Sequence, residues 1–100
     1  MEITDKILLE KLTKIANLNG LSMTDLISNS HKHTTCVIRN AICEVLFKID
    51  SDKYDHTFLA NLFHRKKTTI CNCLLQSKLL RSYNAKCEKI YNSVKEILVL

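Results

Sequence analysis

Between Arg65 and Asn72 the chain reads Arg-Lys-Lys-Thr-Thr-Ile-Cys-Asn, residue types whose spacing suits contact with a polyanion. Lys66 and Lys67 stand where a helix is expected to begin, just after the apolar FLANLF segment of residues 58–63. A helix start carries unsatisfied backbone N–H groups and the positive end of the helix dipole, which together favour phosphate. Cations at that end oppose the dipole and cost a little stability, so a chain that keeps two of them is expected to hold an anion there. Thr68 and Thr69 can donate to phosphate oxygens or touch a thymine methyl and a base edge, and Asn72 carries an amide able to pair bidentately with adenine. The plainer alternative is a surface helix whose two threonines only cap it.

A second basic element precedes it. His31-Lys32-His33 forms a polar stretch with Arg39 just beyond, and a loop of this kind can follow a phosphate backbone or reach into a minor groove. Taken alone, it reads as an ordinary solvated turn. The five cysteines and four histidines raise the question of zinc. Cys71 and Cys73 are two apart on an expected helix, so their side chains diverge by about 200°, and no other spacing fits a zinc module. Neither a metal nor another cofactor is expected. Catalysis finds no support either: there is no Gly-rich phosphate loop, no nucleophile elbow and no carboxylate pair spaced for acid–base work. The expectation is a protein that is not an enzyme.

The elements that must position these residues follow from apolar spacing. With no proline and only Gly20, the chain favours helices joined by short polar turns. Ile3, Ile7, Leu8, Leu12 and Ile15 predict a first amphipathic helix between Thr4 and Asn19-Gly20. Ser22 with Asp25 predicts a capped short helix carrying Leu26 and Ile27. Thr34 or Thr35 is expected to cap a long helix with Ile38, Ile42, Val45 and Ile49 on one stripe and Cys36, Cys43 and Phe47 on the next. That breadth of apolar surface marks the central buried helix. Asp55, with Tyr54 as a staple, opens a helix that buries Phe58, Leu59, Leu62 and Phe63, and Ala60 lies where two helices approach. After the turn His64-Arg65-Lys66, another helix turns Ile70, Cys73, Leu74, Ser77 and Leu80 inward. Asn84 caps a last helix with Cys87, Ile90, Val94 and Ile97. The sum is one all-α domain over residues 1–100, with about six helices and a central helix-turn-helix.

The charge distribution agrees with a polyanionic partner. The 100 residues carry a formal charge of +5. From residue 64 to 89, Arg65, Lys66, Lys67, Lys78, Arg81, Lys86 and Lys89 face Glu88 alone. No apolar run approaches the roughly 20 residues of a membrane span, and the N-terminus lacks a secretory pattern, so free thiols in a reducing cytoplasm and no membrane partner are expected.

In order and spacing, these features resemble the C-terminal DNA-binding domain of the bacterial replication initiator DnaA, a Trp-repressor-like helical fold. The resemblance covers nearly the whole chain. It runs from the opening helix through Leu21-Ser22 and Leu26-Ile27-Ser28, the basic loop and the long helix with Arg39 near its start, to FLANLF and Thr-Thr-Ile. The family shows an Ile-Gly pair, a Phe, a Gly-rich turn and then Arg-Asp-His-Thr-Thr-Val. Leu59-Ala60, Phe63, Arg65, Lys66, Lys67, Thr68, Thr69 and Ile70 stand in those places. The resemblance implies that Lys67, Thr68 and Thr69 open a recognition helix in the major groove. It also implies that the loop around Lys32 approaches the minor groove and that Arg39 meets phosphate. Lys66 and Lys67 replace the family's acid and histidine, and one turn glycine is missing.

The expected function is therefore sequence-preferring binding of double-stranded DNA by a small replication or transcription regulator. Phosphate contacts are expected from Arg39, Arg65, Lys66 and Lys78, and base-edge contacts from Lys67, Thr68 and Asn72. The initiator's nucleotide-binding motor is not in these residues, so the expectation is a stand-alone reading head in a bacterial cytoplasm, of bacterial, phage or mobile-element origin. Its further partners would be another replication or transcription protein or a second copy of itself. The alternative is an interaction or dimerisation module that kept the fold and lost DNA binding. That module would use the exposed side of the first helix or the apolar tail Ile97-Leu98-Val99-Leu100.

Overall fold

A computed structural model describes residues 6–27 and 33–99, apart from the side chains of His33, Thr34 and Tyr83. These residues form six helices: α1 (Lys6–Leu18), α2 (Met23–Ile27), α3 (His33–Ile49), α4 (His56–Phe63), α5 (Lys67–Tyr83) and α6 (Ala85–Val99). No strand occurs among the described residues, so the all-α class with six helices holds.

Local chemistry accounts for most helix ends. Gly20 takes φ 73°, and the Leu21 N–H returns to the Ala16 carbonyl at 2.8 Å, which closes α1. Ser22 and Asp25 bond reciprocally: the Asp25 N–H donates to Ser22 Oγ at 3.2 Å and the Ser22 N–H to Asp25 Oδ2 at 2.9 Å. This capping box holds α2, a helix of only 5 residues that would not persist by itself. Asp55 accepts the Phe58 N–H at 2.8 Å, and Tyr54 packs edge-on against Phe58 with centroids 5.0 Å apart. Asn84 Oδ1 accepts from the Lys86 and Cys87 N–H groups to open α6. Helix α3 departs from expectation because it already runs at His33, which places Thr35 inside the helix and buried rather than at the cap.

The core is assembled around α3, which packs most extensively against α5 and α6 and also touches α2. From Thr35 to Leu46 it is buried almost all round, and Ile38, Ile42 and Cys43 have no exposed surface. Leu8, Leu12, Ile15 and Ala16 of α1 and Phe58, Leu59, Leu62 and Phe63 of α4 join the same core. Ile7 does not, being 64% exposed. The buried stripe of α1 starts one residue later, and a step of about 100° carries Ile7 off it. Ile49, in the last position of α3, is exposed as well. Among the described residues, no helix is long and apolar enough to cross a membrane.

One polar cluster crosses this core. Glu44 of α3 is 4% exposed and accepts from Ser77 Oγ at 2.7 Å and Arg81 Nε at 3.1 Å, both on α5; a second guanidinium nitrogen of Arg81 also bonds its carboxylate. Lys48, one turn along α3, pairs with it at 3.0 Å. Tyr91 of α6 presents its ring to the Arg81 guanidinium at 4.0 Å and its hydroxyl to Lys48 Nζ at 3.4 Å. No buried side-chain nitrogen or oxygen among the described residues lacks a partner. Such a network is stable only when complete, because removing one member strands the others in a region of low polarity.

Burial pushes the Glu44 carboxyl up, but the hydrogen bonds from Arg81, Ser77 and Lys48 outweigh it and hold the group below its ordinary value of 4.5. Stability from this depressed group is present above that value and is lost as pH falls through the lower folded-state value. We expect Glu44→Ala to cost about 3 kcal/mol in urea unfolding at neutral pH. The parent should lose stability on acidification more steeply than the variant. Equal acid sensitivity in the two chains would show that Glu44 does not hold the helices together.

Candidate functional site

Helices α4 and α5 are joined by His64, Arg65 and Lys66, and the local bonding explains so short a turn. His64 adopts the left-handed conformation, φ 54° and ψ 48°, and its N–H returns to the Ala60 carbonyl. The Arg65 N–H reaches the same carbonyl at 2.8 Å. Ala60 is 7% exposed, and its small side chain suits the close approach of the next segment. The turn contains no glycine, and its positive φ falls on His64, a residue type enriched among non-glycine residues in that conformation.

Lys66 is the N-cap of α5, extended at φ −76° and ψ 153°, and its side chain makes no capping bond. Helix α5 therefore starts with a cation where an acceptor such as serine or aspartate is favoured. Lys66, Lys67, Thr68 and Asn72 are all exposed, and Thr69 is turned partly inward. The threonines fall inside the first turn and do not occupy the N-cap, so the plain capping role does not describe them. With about 100° between residues, Thr68, Asn72, Leu75 and Leu79 share the face opposite Ile70 and Ser77. Lys67 and Lys78 lie together on one flank of that face. Leu75 is 66% exposed and Leu79 54%, so the outer face is polar in its first two turns and apolar beyond.

The arginines occupy different surroundings from the lysines. Arg39 is 5% exposed, and its Nε donates to the Leu26 carbonyl at 2.8 Å, fastening α2 to α3. The expected phosphate contact from Arg39 is at odds with this burial: the guanidinium serves the interior. Arg65 is half-buried, and its Nη1 reaches the carbonyls of Phe63 at 3.3 Å, His64 at 3.4 Å and Ile27 at 3.5 Å. It braces the turn against the end of α2, and burial together with the nearby Arg39 charge makes it a weaker base than usual. Of the phosphate contacts expected from sequence, Lys66 and Lys78 stand in solvent, whereas Arg39 and Arg65 are drawn into the fold. Lys32 and the neighbouring His31 lie outside the described residues.

Two of the five thiols, Cys43 and Cys73, are buried against each other's helices. Burial raises the Cys43 thiol well above its usual value, with a further push from Cys73 only partly offset by Arg39; burial likewise raises Cys73. Both stay protonated at neutral pH and are poor nucleophiles. No group of three or more His, Cys, Asp or Glu side chains among the described residues is arranged to hold a metal ion.

Other apolar surface bears on the interaction alternative. Ile7, Leu9 and Leu18 of α1 are exposed, whereas Leu98 of the C-terminal tail is buried and Ile97 partly so. In the tail, Val99 remains exposed, and Leu100 lies outside the described residues.

His64→Gly is expected to stabilise the chain by up to about 1 kcal/mol, because glycine adopts the left-handed turn without the steric cost of a Cβ. The check is the urea midpoint of the two proteins; a lower midpoint for the glycine variant would mean that the His64 side chain makes a compensating contact.

Compared with models of known protein families, with curated proteins and with solved structures, the chain has no match.

Proposed function

We propose that this protein is a non-enzymatic, double-stranded DNA-binding protein that offers the N-terminal end of α5 to the major groove. The observation carrying this reading is the exposed entrance of α5. Lys66, Lys67, Thr68 and Asn72 lie in solvent at the start of a helix of 17 residues, and no acidic residue occurs between Asp55 and Glu88. Backbone N–H groups and lysine ammonium groups attract phosphate, while the threonine and the amide suit base edges. On this reading α4 and α5 act as a helix-turn-helix within a fold akin to the Trp-repressor-like domain of the replication initiator. The role would be a small replication or transcription regulator without a motor, in a bacterial cytoplasm. Lys66 and Lys78 hold phosphates, and Lys67, Thr68 and Asn72 meet bases. Arg65 and Arg39 support the turn and α2 without touching DNA.

A second reading is favoured by the exposed Ile7, Leu9 and Leu18 of α1: a face for another protein or a second copy. The two readings use opposite kinds of surface and are separable by salt.

Gel-shift titrations of a mixed-sequence duplex over a range of salt concentrations test the proposal. The logarithm of affinity should fall linearly with the logarithm of salt concentration, and Lys66→Gln and Lys78→Gln should each reduce the slope by about 1 on every duplex. Thr68→Ala and Asn72→Ala should instead change the ranking among duplexes. If low salt gives no affinity and the chain sediments as a dimer, the second reading replaces the first.

A further inference from the structure

We infer that the outer face of α1 pairs with the same face of a second copy, the two helices antiparallel about a two-fold axis. In this register Ile7 lies against the partner's Leu18 and Glu10 against the partner's Lys14. The pairing gives one occupant and one register to the exposed α1 face of the second reading above. It uses none of the residues assigned to DNA, so it stands or falls independently of the first reading.

At about 100° per residue, Ile7, Glu10, Lys14 and Leu18 fall within about 80° of one another on α1, away from the buried stripe of Leu8, Leu12, Ile15 and Ala16. All four are exposed, and Ile7 at 64% and Leu18 at 65% are among the most exposed large apolar side chains of the fold. Glu10, Lys14 and Leu18 also line one shallow groove along the helix. Glu10 and Lys14 are one turn apart, yet neither has an ion-pair partner among the described residues. The cation at the edge of this face, Lys11, is turned to its own chain, where its ammonium meets the Leu98 carbonyl near the end of α6 at 3.4 Å.

An isologous pair needs a surface complementary to itself. Along α1 the apolar residues stand outermost with the opposite charges between them. The midpoint of Ile7 and Leu18 lies half a residue from that of Glu10 and Lys14, under ~1 Å along the axis. Turning one copy end for end therefore sets each isoleucine on a leucine and each carboxylate on an ammonium, and the two-fold makes every such contact twice. The mixed sign also decides among occupants. A polyanion, such as the DNA proposed for the all-basic entrance of α5, would be opposed by Glu10, whereas a second copy satisfies both signs. One helix pair buries less than the roughly 1,200 Å² of a standard interface, so the dimer is weak and forms at high chain concentration.

Sedimentation equilibrium from about 10 μM to about 1 mM covers the affinity of a contact of this size. The average mass of the parent should rise toward that of two chains. Glu10→Lys leaves only cations in the middle of the face and Lys14→Glu only anions, so each variant alone should associate at least about tenfold more weakly. Mixed in equal amounts, the two variants should pair with each other, and that pair should weaken as salt is raised. An ion pair within one helix cannot produce this rescue. Leu18→Ser, at an exposed position outside the core, should leave a folded monomer. A parent that stays monomeric at the highest concentration, a dimer that persists in the charge variants or in Leu18→Ser, or charge variants that fail to pair when mixed would each overturn the inference.

Discussion

A single buried carboxylate sets the position of the helix on which the candidate site is built. Glu44 projects from the central helix α3 and is gripped by Ser77 and Arg81 of α5, and the Arg81 guanidinium lies over the ring of Tyr91 of α6. The hydrophobic contribution to the packing of α3 against α5 is non-directional, whereas a fork of directed bonds also fixes orientation. Ser77 and Arg81 are one turn apart on α5, so bonding both to one carboxylate fixes the rotation of that helix as well as its distance. The face carrying Ile70 and Ser77 is held inward, and Thr68 and Asn72 are thereby held outward.

The same economy explains how charge is divided along the chain. Arginine, planar and rich in directed donors, is found bracing backbone carbonyls and a carboxylate. Lysine, compact and well hydrated, is left on the surface at Lys66, Lys67 and Lys78. A surface built in this way attracts a polyanion over a distance but forms few rigid, directional contacts with it. On the proposed reading such a surface favours rapid association and salt-sensitive binding, and discrimination among sequences would fall to the side chains at the helix start.

What could be read from the sequence was mostly local. The caps at Ser22–Asp25, Asp55 and Asn84 were legible because donor and acceptor lie within three residues of each other. The inward faces of α4 and α5 followed from helical spacing. Ile7 was misassigned because periodicity alone does not say which of two adjoining apolar stripes meets the core. The exposed lysines of the site were legible from charge. The buried state of Arg39 and the bracing role of Arg65 were not, since their partners Leu26 and Ile27 come from another helix. The Glu44–Arg81 bond joins residues 37 apart and carries no local signature. His64 as a left-handed turn residue was not legible, because the turn has no glycine to mark the position of positive φ.

The most direct measurement is the amide chemical-shift map of the protein as a short duplex is added. The account predicts that the largest changes run from His64 to Asn72 and decline along α5, with α1 and the second half of α6 unmoved. Changes concentrated on α1, or none along α5 at a concentration where the duplex is bound, would contradict it.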